Sequence, residues 1–241
     1  MSPDQVTVVV PTYNEYENIA EIAAAVTDHG YRLTIVDDAS PDGSGDIADK
    51  LAESDSLISV IHRSHKQGLG PAYAEAFDRL VAGESRVIIE MDADFSHNPS
   101  DLPRLVSAIS GGADLAIGSR YVPGGSTPDW PLIRRLISKG GNLYARVMLG
   151  ISVHDATAGF RAFRREALSL LPYGSAEASG YGFQVEMAWR ASQLDLKIVE
   201  VPIAFRDRTR GESKMGLAIV GEAMWLVTVW GIGRLWKKIV R

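Results

Sequence analysis

A doubly wound α/β domain is what this sequence predicts. Short β-branched runs recur at regular intervals through the first half, helical patterns fill the gaps between them, and turn-forming residues follow each run. Val6–Val10 is a continuous apolar run ending at Pro11, and Leu33–Val36, Ile58–Ile61, Val87–Met91 and Leu115–Ile117 repeat the type. Runs without polar alternation read as parallel strands covered on both faces. Between them, Asn18–His29 carries Ile19, Ile22, Ala23 and Val26 on one side before Gly30, and Ser44–Glu53, Pro71–Ala82 and Ser100–Ser110 follow the same pattern. After Arg120 the pattern loosens. Tyr121–Pro131 is a loop rich in Gly, Pro and Ser; Leu132–Leu149 reads as a helix, Gly159–Phe163 as a short strand, Phe183–Leu194 as a helix, and Ile198–Val201 as a strand closed by Pro202. A basic loop, Arg206–Lys214, then leads into a last helical stretch from about Gly216, so the expected organisation is a domain over 1–215 and a terminal helix over 216–241.

Composition narrows the function. With 241 residues, 46% apolar and 23% charged, the chain can bury a core, and disorder, collagen and repeat arrays are excluded. The absence of cysteine excludes disulfides, thiolate zinc sites and a cysteine nucleophile, and suits a reducing compartment. The N-terminal residues show no basic segment followed by a long apolar run, so the chain is expected to stay on the cytoplasmic side. The net charge of −5 hides an asymmetry. Residues 1–119 hold 7 Lys and Arg against 20 Asp and Glu, whereas residues 120–241 hold 18 against 10. A basic half in an acidic protein implies an anionic partner: phosphate, anionic lipid or nucleic acid.

The residues past each strand carry the chemistry, because ligands of open α/β sheets bind beyond the carboxyl ends of the strands. There stand Thr12-Tyr13-Asn14-Glu15, then Asp37-Asp38 with Asp42, then Asp92-Ala93-Asp94. So many carboxylates on one edge call for a cation or ligand donors. Asp42, two residues before Ser44, reads on its own as a helix cap. Asp92 and Asp94 point the same way along an extended segment and suit a hard divalent ion, Mg²⁺ or Mn²⁺. No GxGxxG or GxxxxGK[ST] occurs, which argues against a dinucleotide-binding or P-loop protein. His62, His65 and His97 are assigned to no metal. Leu217–Gly233 is apolar apart from Glu222 and Thr228, carries Trp225 and Trp230, and runs into Arg234, Trp236, Lys237, Lys238 and Arg241. Its uninterrupted part, Ala223–Gly233, is too short to span a bilayer, so it reads as an interfacial helix, with an ordinary core helix as the alternative.

PTYNE at Pro11–Glu15, DDASPDGS at Asp37–Ser44, DADFSHNP at Asp92–Pro99, GSRY ending at Tyr121 and GESK at Gly211–Lys214 together resemble the family-2 inverting glycosyltransferases of GT-A fold. HDATAGFR at His154–Arg161 and GYGFQVEM at Gly180–Met187 resemble the branch that transfers mannose to polyprenyl (dolichyl) phosphate. The resemblance implies that Pro11, Tyr13, Glu15, Asp38 and Asp42, with Asp92, line the nucleotide pocket. It implies that Asp92 and Asp94 hold the ion, with Ser96 standing where some relatives place a Gln ligand. Arg120, Arg134 and Ser138 would contact the acceptor phosphate, and Arg208 and Lys214 would close over the donor. Asp94, Arg120 and Arg134 would then be the catalytic residues. The implied reaction moves mannose from GDP-mannose to polyprenyl phosphate on the cytoplasmic face, by a peripheral protein that meets the membrane surface or a membrane-anchoring protein, and involves no nucleic acid.

The chemistry agrees. A sugar hydroxyl needs a general base, whereas a lipid phosphate is already an anion and needs arginines to position it. Arg120, Arg134, Arg135, Arg208, Arg210 and Lys214 supply positive charge, with Arg135, Arg164 and Arg165 read as solvent-facing. Transfer of glucose from UDP-glucose to the same lipid, addition to a polysaccharide hydroxyl, and a non-catalytic nucleotide-binding scaffold are the competing readings.

Overall fold

The structure is a computed structural model that describes residues 1–178, 181–207 and 217–239. Strands β1 (Val6–Thr12), β2 (Arg32–Asp37), β3 (Ile58–His62), β4 (Val87–Glu90), β5 (Leu115–Ser119), β6 (Arg161–Arg164) and β7 (Ile198–Pro202) form one seven-stranded sheet in the order β3-β2-β1-β4-β6-β5-β7. Helices α1 (Ile19–Thr27), α2 (Ser44–Ser54), α3 (Leu69–Val81) and α4 (Leu102–Ser110) connect the first five strands. The second half adds α5 (Leu132–Leu149), α6 (Arg165–Leu170), α7 (Tyr181–Gln193) and α8 (Leu217–Ile239). The doubly wound expectation therefore holds, with α6 a six-residue addition too short to show a period.

One strand departs from the parallel pattern. β6 runs antiparallel to both β4 and β5, while every other pairing in the sheet is parallel. An antiparallel strand starts where its neighbours end. The segment just before β6, residues 154–160, is thereby delivered to the carboxyl edge of the sheet, beside the loop that follows β4.

Side chains alternate across the sheet, and each face has its own core. Val8 and Val10 of β1 pack with Ile22, Val26, Leu33, Ile35, Leu102 and Leu105 under α1, α2 and α4. Val9 points the other way, into a cluster with Tyr73, Phe77, Ile88, Phe163 and Phe183 under α3 and α7. Phe77 is fully buried and meets Phe163 and Tyr173 edge-on, with ring centroids 5.9 and 5.3 Å away. Aromatic rings bury the most apolar area per residue, so this cluster anchors α3 to the sheet.

α8 packs against α5 and α7. Val227 is buried, Trp230 stacks on Trp189 at 5.2 Å, and Tyr144 of α5 hydrogen-bonds Thr228 at 2.6 Å. Both α5 and α8 nevertheless expose large apolar side chains. On α5 these are Leu132, Ile133, Leu136, Ile137, Leu143 and Val147; on α8 they are Met224, Trp225, Val229, Ile232 and Trp236. No helix among the described residues is long and apolar enough to cross a membrane.

α5 also carries Gly140 and Gly141 in its middle, where glycine weakens a helix by roughly 0.5–1 kcal/mol relative to alanine. A Cβ on Gly140 would meet nothing within 4 Å. Gly140→Ala is therefore expected to raise unfolding stability by roughly 0.5–1 kcal/mol. Urea denaturation reads this, and a drop in stability would contradict the helical assignment at this position.

Candidate active site

The loops after β1, β2 and β4 each hold a non-glycine residue in the left-handed region: Asn14 at φ 57°, Ala39 at φ 59° and Phe95 at φ 59°. That conformation costs an L-residue about 1–2 kcal/mol, least for Asn. Strain repeated at adjacent strand ends marks these loops as the place where the fold has spent stability on geometry. The first two loops are stitched together. The backbone N–H groups of Asn14, Glu15 and Tyr16 donate to Ser40 Oγ (3.2 Å), Ser44 Oγ (3.0 Å) and Asp42 Oδ2 (3.1 Å). Asp42 also accepts from the Ser44 N–H at 3.0 Å and the Ser44 hydroxyl at 2.6 Å, so it caps α2 and holds the β1 loop at once. Burial alone would raise its pKa, but these hydrogen bonds hold it below the ordinary carboxylate range.

The nucleotide-pocket expectations divide. Pro11, Tyr13 and Glu15 stand at the end of β1, partly exposed, with Lys66 Nζ 3.7 Å above the Tyr13 ring and Glu15 Oε2 accepting from Asn18 at 2.9 Å. Asp38, by contrast, is buried and turned to residues 63–68. It accepts from Arg63 Nη1 at 2.5 Å and from the backbone N–H groups of Gln67 and Gly68 at 3.1 and 2.9 Å. With its lone pairs engaged by its own chain, Asp38 shapes the entry to α3, a role its place in the motif did not suggest. Arg208, Arg210 and Lys214 lie outside the described residues.

After β4, Asp94 is buried and Asp92 partly exposed. Asp94 Oδ1 accepts from the Ser96 N–H at 3.0 Å, and Ser96 Oγ is buried without a hydrogen-bond partner among the described residues. Two carboxylates beside an unsatisfied hydroxyl fit a hard divalent ion. No cluster of three His, Cys, Asp or Glu side chains able to hold a metal occurs among the described residues. This donor set suits an ion that keeps waters and takes further ligands from a bound diphosphate. His97, assigned to no metal, is buried. It stacks on Phe160 at 5.0 Å and accepts the Asp92 N–H on Nδ1 at 3.2 Å. Burial lowers its pKa, keeping the imidazole neutral behind the acidic pair.

From Asp92 and His97 a cavity of about 410 Å³ runs past Arg120, Arg134 and Ser138 and continues between α5 and α8 to Tyr144 and Val227. It is polar at one end and apolar at the other. Arg120 is buried: its Nε and Nη2 donate to Asp155 Oδ2 and Oδ1 at 2.7 and 2.6 Å, and Nη2 also reaches Thr157 Oγ1 at 2.7 Å. Tyr121, Trp130 and Phe205 surround its guanidinium at 5.2–5.3 Å. Arg134 lies 4.0 Å over the same Trp130 ring and pairs with Asp207 at 2.5 Å; both side chains are more than a third exposed. Ser138 Oγ accepts from Tyr121 at 2.6 Å. Arg135, read as solvent-facing, instead donates to the carbonyls of Thr127 and Trp130 and pins the loop that carries the indole. Arg164 pairs with Asp114, and Arg165 donates to the Gly83 carbonyl.

Trp130, Asp155 and Thr157 are functional candidates that sequence reading did not single out. The available signal was the HDATAGFR segment, whose Asp and Thr bracket a turn.

Residues 7–171 match the Glycosyl transferase family 2 profile. The chain is 48% identical over 233 residues to a polyprenol monophosphomannose synthase of Mycolicibacterium smegmatis, covering 95% of this chain and 88% of that one. It is 47% identical over 239 residues to an undecaprenyl-phosphate mannosyltransferase of Micrococcus luteus, covering 98% and 97%. Among solved structures, a mannosyltransferase from Pyrobaculum calidifontis in complex with GDP-Man and Mn²⁺ shares the fold at a TM-score of 0.60 and 16% identity, covering 98% of this chain and 67% of that one.

The buried Asp38–Arg63 pair generates a stability prediction. Removing one partner of a buried pair strands the other charge, so Asp38→Ala is expected to lose about 3 kcal/mol, read by denaturant titration. A loss under about 1 kcal/mol would mean that Glu75 and Gln67, which also contact Arg63, suffice for it.

Proposed function

The chain belongs to glycosyl transferase family 2, and on that premise we propose that it transfers mannose from GDP-mannose to the phosphate of a polyprenyl phosphate, with inversion at the anomeric carbon. The observation that carries this reading is the shape of the cavity. An arginine-bearing polar end next to Asp92 opens into an apolar slot between α5 and α8, which suits a molecule with an anionic head and a hydrocarbon tail.

In the proposed reaction a phosphate oxygen attacks the anomeric carbon from the face opposite the diphosphate. The new C–O bond forms as the bond to the diphosphate breaks, and GDP leaves with the electron pair. The nucleophile is already an anion, so no proton has to be removed from it. The difficulty is repulsion between two phosphate groups, which guanidinium groups of Arg120 and Arg134 at the polar end would screen. Arg134 can exchange its exposed partner Asp207 for a phosphate, whereas Arg120 is fixed by Asp155. Asp92 and Asp94, with Ser96 at hand, would hold Mg²⁺ or Mn²⁺, which when bound would neutralise charge on the leaving diphosphate. The strained loops bearing Tyr13, Glu15 and Asp42 would receive the nucleotide. The unfilled apolar faces of α5 and α8 would rest on the bilayer surface beside the cavity mouth, a peripheral placement on the cytoplasmic face.

Incubation with labelled GDP-mannose or labelled UDP-glucose and a short polyprenyl phosphate tests the assignment. Label is expected in the lipid fraction from GDP-mannose; label from UDP-glucose alone, or donor binding without transfer, would overturn it. Asp94→Ala should abolish transfer while keeping the melting temperature within a few degrees of the parent. Retained transfer with Mg²⁺ or Mn²⁺ present would remove Asp94 from the ion site. Leu136→Asp with Ile137→Asp should weaken binding to anionic phospholipid vesicles, read by sedimentation, by roughly a hundredfold or more, since each buried apolar side chain contributes roughly 1.5–3 kcal/mol. Unchanged sedimentation would take α5 away from the membrane.

A further inference from the structure

We propose that Thr157 is a positioning residue, which with Asn142 and Asp155 behind it sets the Arg120 guanidinium for the acceptor phosphate; this rests on the acceptor reading above. A hydroxyl offers one donor and two acceptor sites. In Thr157 all of them are used: Oγ1 accepts from Arg120 Nη2 at 2.7 Å and from Asn142 Nδ2 at 3.0 Å, and donates to Asp155 Oδ1 at 3.3 Å. Saturation fixes the direction of each bond. Arg120 is held along one edge by both oxygens of Asp155, and Thr157 adds a contact to Nη2 that a carboxylate alone does not supply.

Thr157 is also tied to the helix across the cavity. Its N–H donates to Asn142 Oδ1 at 3.2 Å, and Asn142, nearly fully buried, donates from Nδ2 to the Ser138 carbonyl at 3.0 Å. Ser138 Oγ in turn accepts from Tyr121, the residue after Arg120. With the peptide link from Arg120 to Tyr121, the hydrogen bonds thus close a ring from Arg120 through Tyr121, Ser138, Asn142 and Thr157 back to Arg120. Three of its members, Arg120, Ser138 and Thr157, line the cavity. The segment bearing Thr157 is anchored separately. Glu200 accepts the N–H groups of His154 and Asp155 at 2.8 and 3.0 Å, and Arg161 donates to the carbonyls of Ala156 and Ala158 at 2.7 and 2.8 Å.

Such a ring has a definite consequence for binding. An arginine free to rotate must be ordered when a phosphate arrives, whereas one already held in plane meets it without that cost. Asp155 offsets part of the charge of Arg120, so what Arg120 brings to phosphate recognition depends on its geometry as well as its charge, and Thr157 maintains the geometry.

The test is steady-state kinetics of Thr157→Val and Thr157→Ser with GDP-mannose and a short polyprenyl phosphate, beside thermal melts. Valine keeps the shape and deletes the hydroxyl. The expected result is a KM for polyprenyl phosphate raised roughly tenfold or more, the size of one lost charge-assisted hydrogen bond. The KM for GDP-mannose should stay within about twofold, and serine should restore the parent value within about threefold. Equal rises in both KM values, or no rescue by serine, would assign Thr157 to the fold alone and overturn the proposal, as would a valine variant that matches the parent. If valine prevents folding, Asn142→Ser, which shortens the donor to Thr157, carries the same expectation and the same contrary outcomes. A parent protein that transfers nothing to polyprenyl phosphate would overturn the acceptor reading itself; an active parent with an unaffected Thr157→Val overturns only the role of Thr157.

Discussion

At the junction of β4 and β6 a guanidinium is buried without any solvent contact, and the rest of the site is arranged around satisfying it. Arg161 faces Glu90 in the antiparallel register and spends Nε, Nη1 and Nη2 on the carbonyls of Ala158, Gln184 and Ala156. Burial pushes the Glu90 carboxyl up to about 7 and the Arg161 guanidinium down to about 10, while each charge pulls the other back toward its ionised form. A buried charge stripped of partners costs several kcal/mol. The turn at 156–158 and the first turn of α7 are therefore held where their carbonyls can reach Arg161. That requirement places Asp155 and Thr157 beside Arg120, and Phe183 of α7 against the rings of α3.

On either side of this junction the two halves of the chain solve opposite electrostatic problems. The first half gathers carboxylates at strand ends and relieves their repulsion with backbone N–H groups, as at Asp38 and Asp42, and under the proposed reaction would add a cation at Asp92 and Asp94. The second half gathers arginines and relieves theirs with carboxylates and aromatic rings. The guanidinium groups of Arg120 and Arg134 both lie over the Trp130 ring, at 5.3 and 4.0 Å, so one indole steadies two like charges near one cavity. Facing an acidic edge with a basic one across a cavity is how a protein brings two anionic molecules together in the same space.

Much of this was legible in the sequence, and the remainder was not for a physical reason. Strand placement through β5 follows from continuous β-branched runs that the sheet buries on both faces, and helix placement from apolar residues recurring about every third or fourth position. The position of β6 was also readable in Gly159–Phe163, but its direction was not, since a short apolar run looks the same in a parallel and an antiparallel ladder. The motif loops identified the carboxylates without saying which would face a ligand. Asp38 and Asp92 are chemically alike, and only the fold shows that residues 63–68 return to occupy the first. Arg120 and Asp155, Thr157 and Asn142, and His97 and Phe160 are partners far apart in the chain, and no local pattern encodes a pairing across that distance. The exposed apolar side of α5 was hidden for another reason: its arginines and lysine give the helix an ordinary amphipathic look, and only its seat on α8 shows that the apolar side is not all covered.

The insertion of β6 between β4 and β5 has a consequence for how the chain is assembled during synthesis. β3, β2, β1 and β4 pair in succession, so this acidic part of the sheet can form once β4 has been made, with one edge of β4 left for β6. β5 pairs only with β6 and β7, both of which come later in the chain. When Leu115–Ser119 emerges neither of its partner strands has been made, and its apolar side chains wait until Arg161–Arg164 supplies one. The acidic side of the molecule can thus take shape early in translation, whereas Arg120, just past β5, acquires its place only as the last strands arrive.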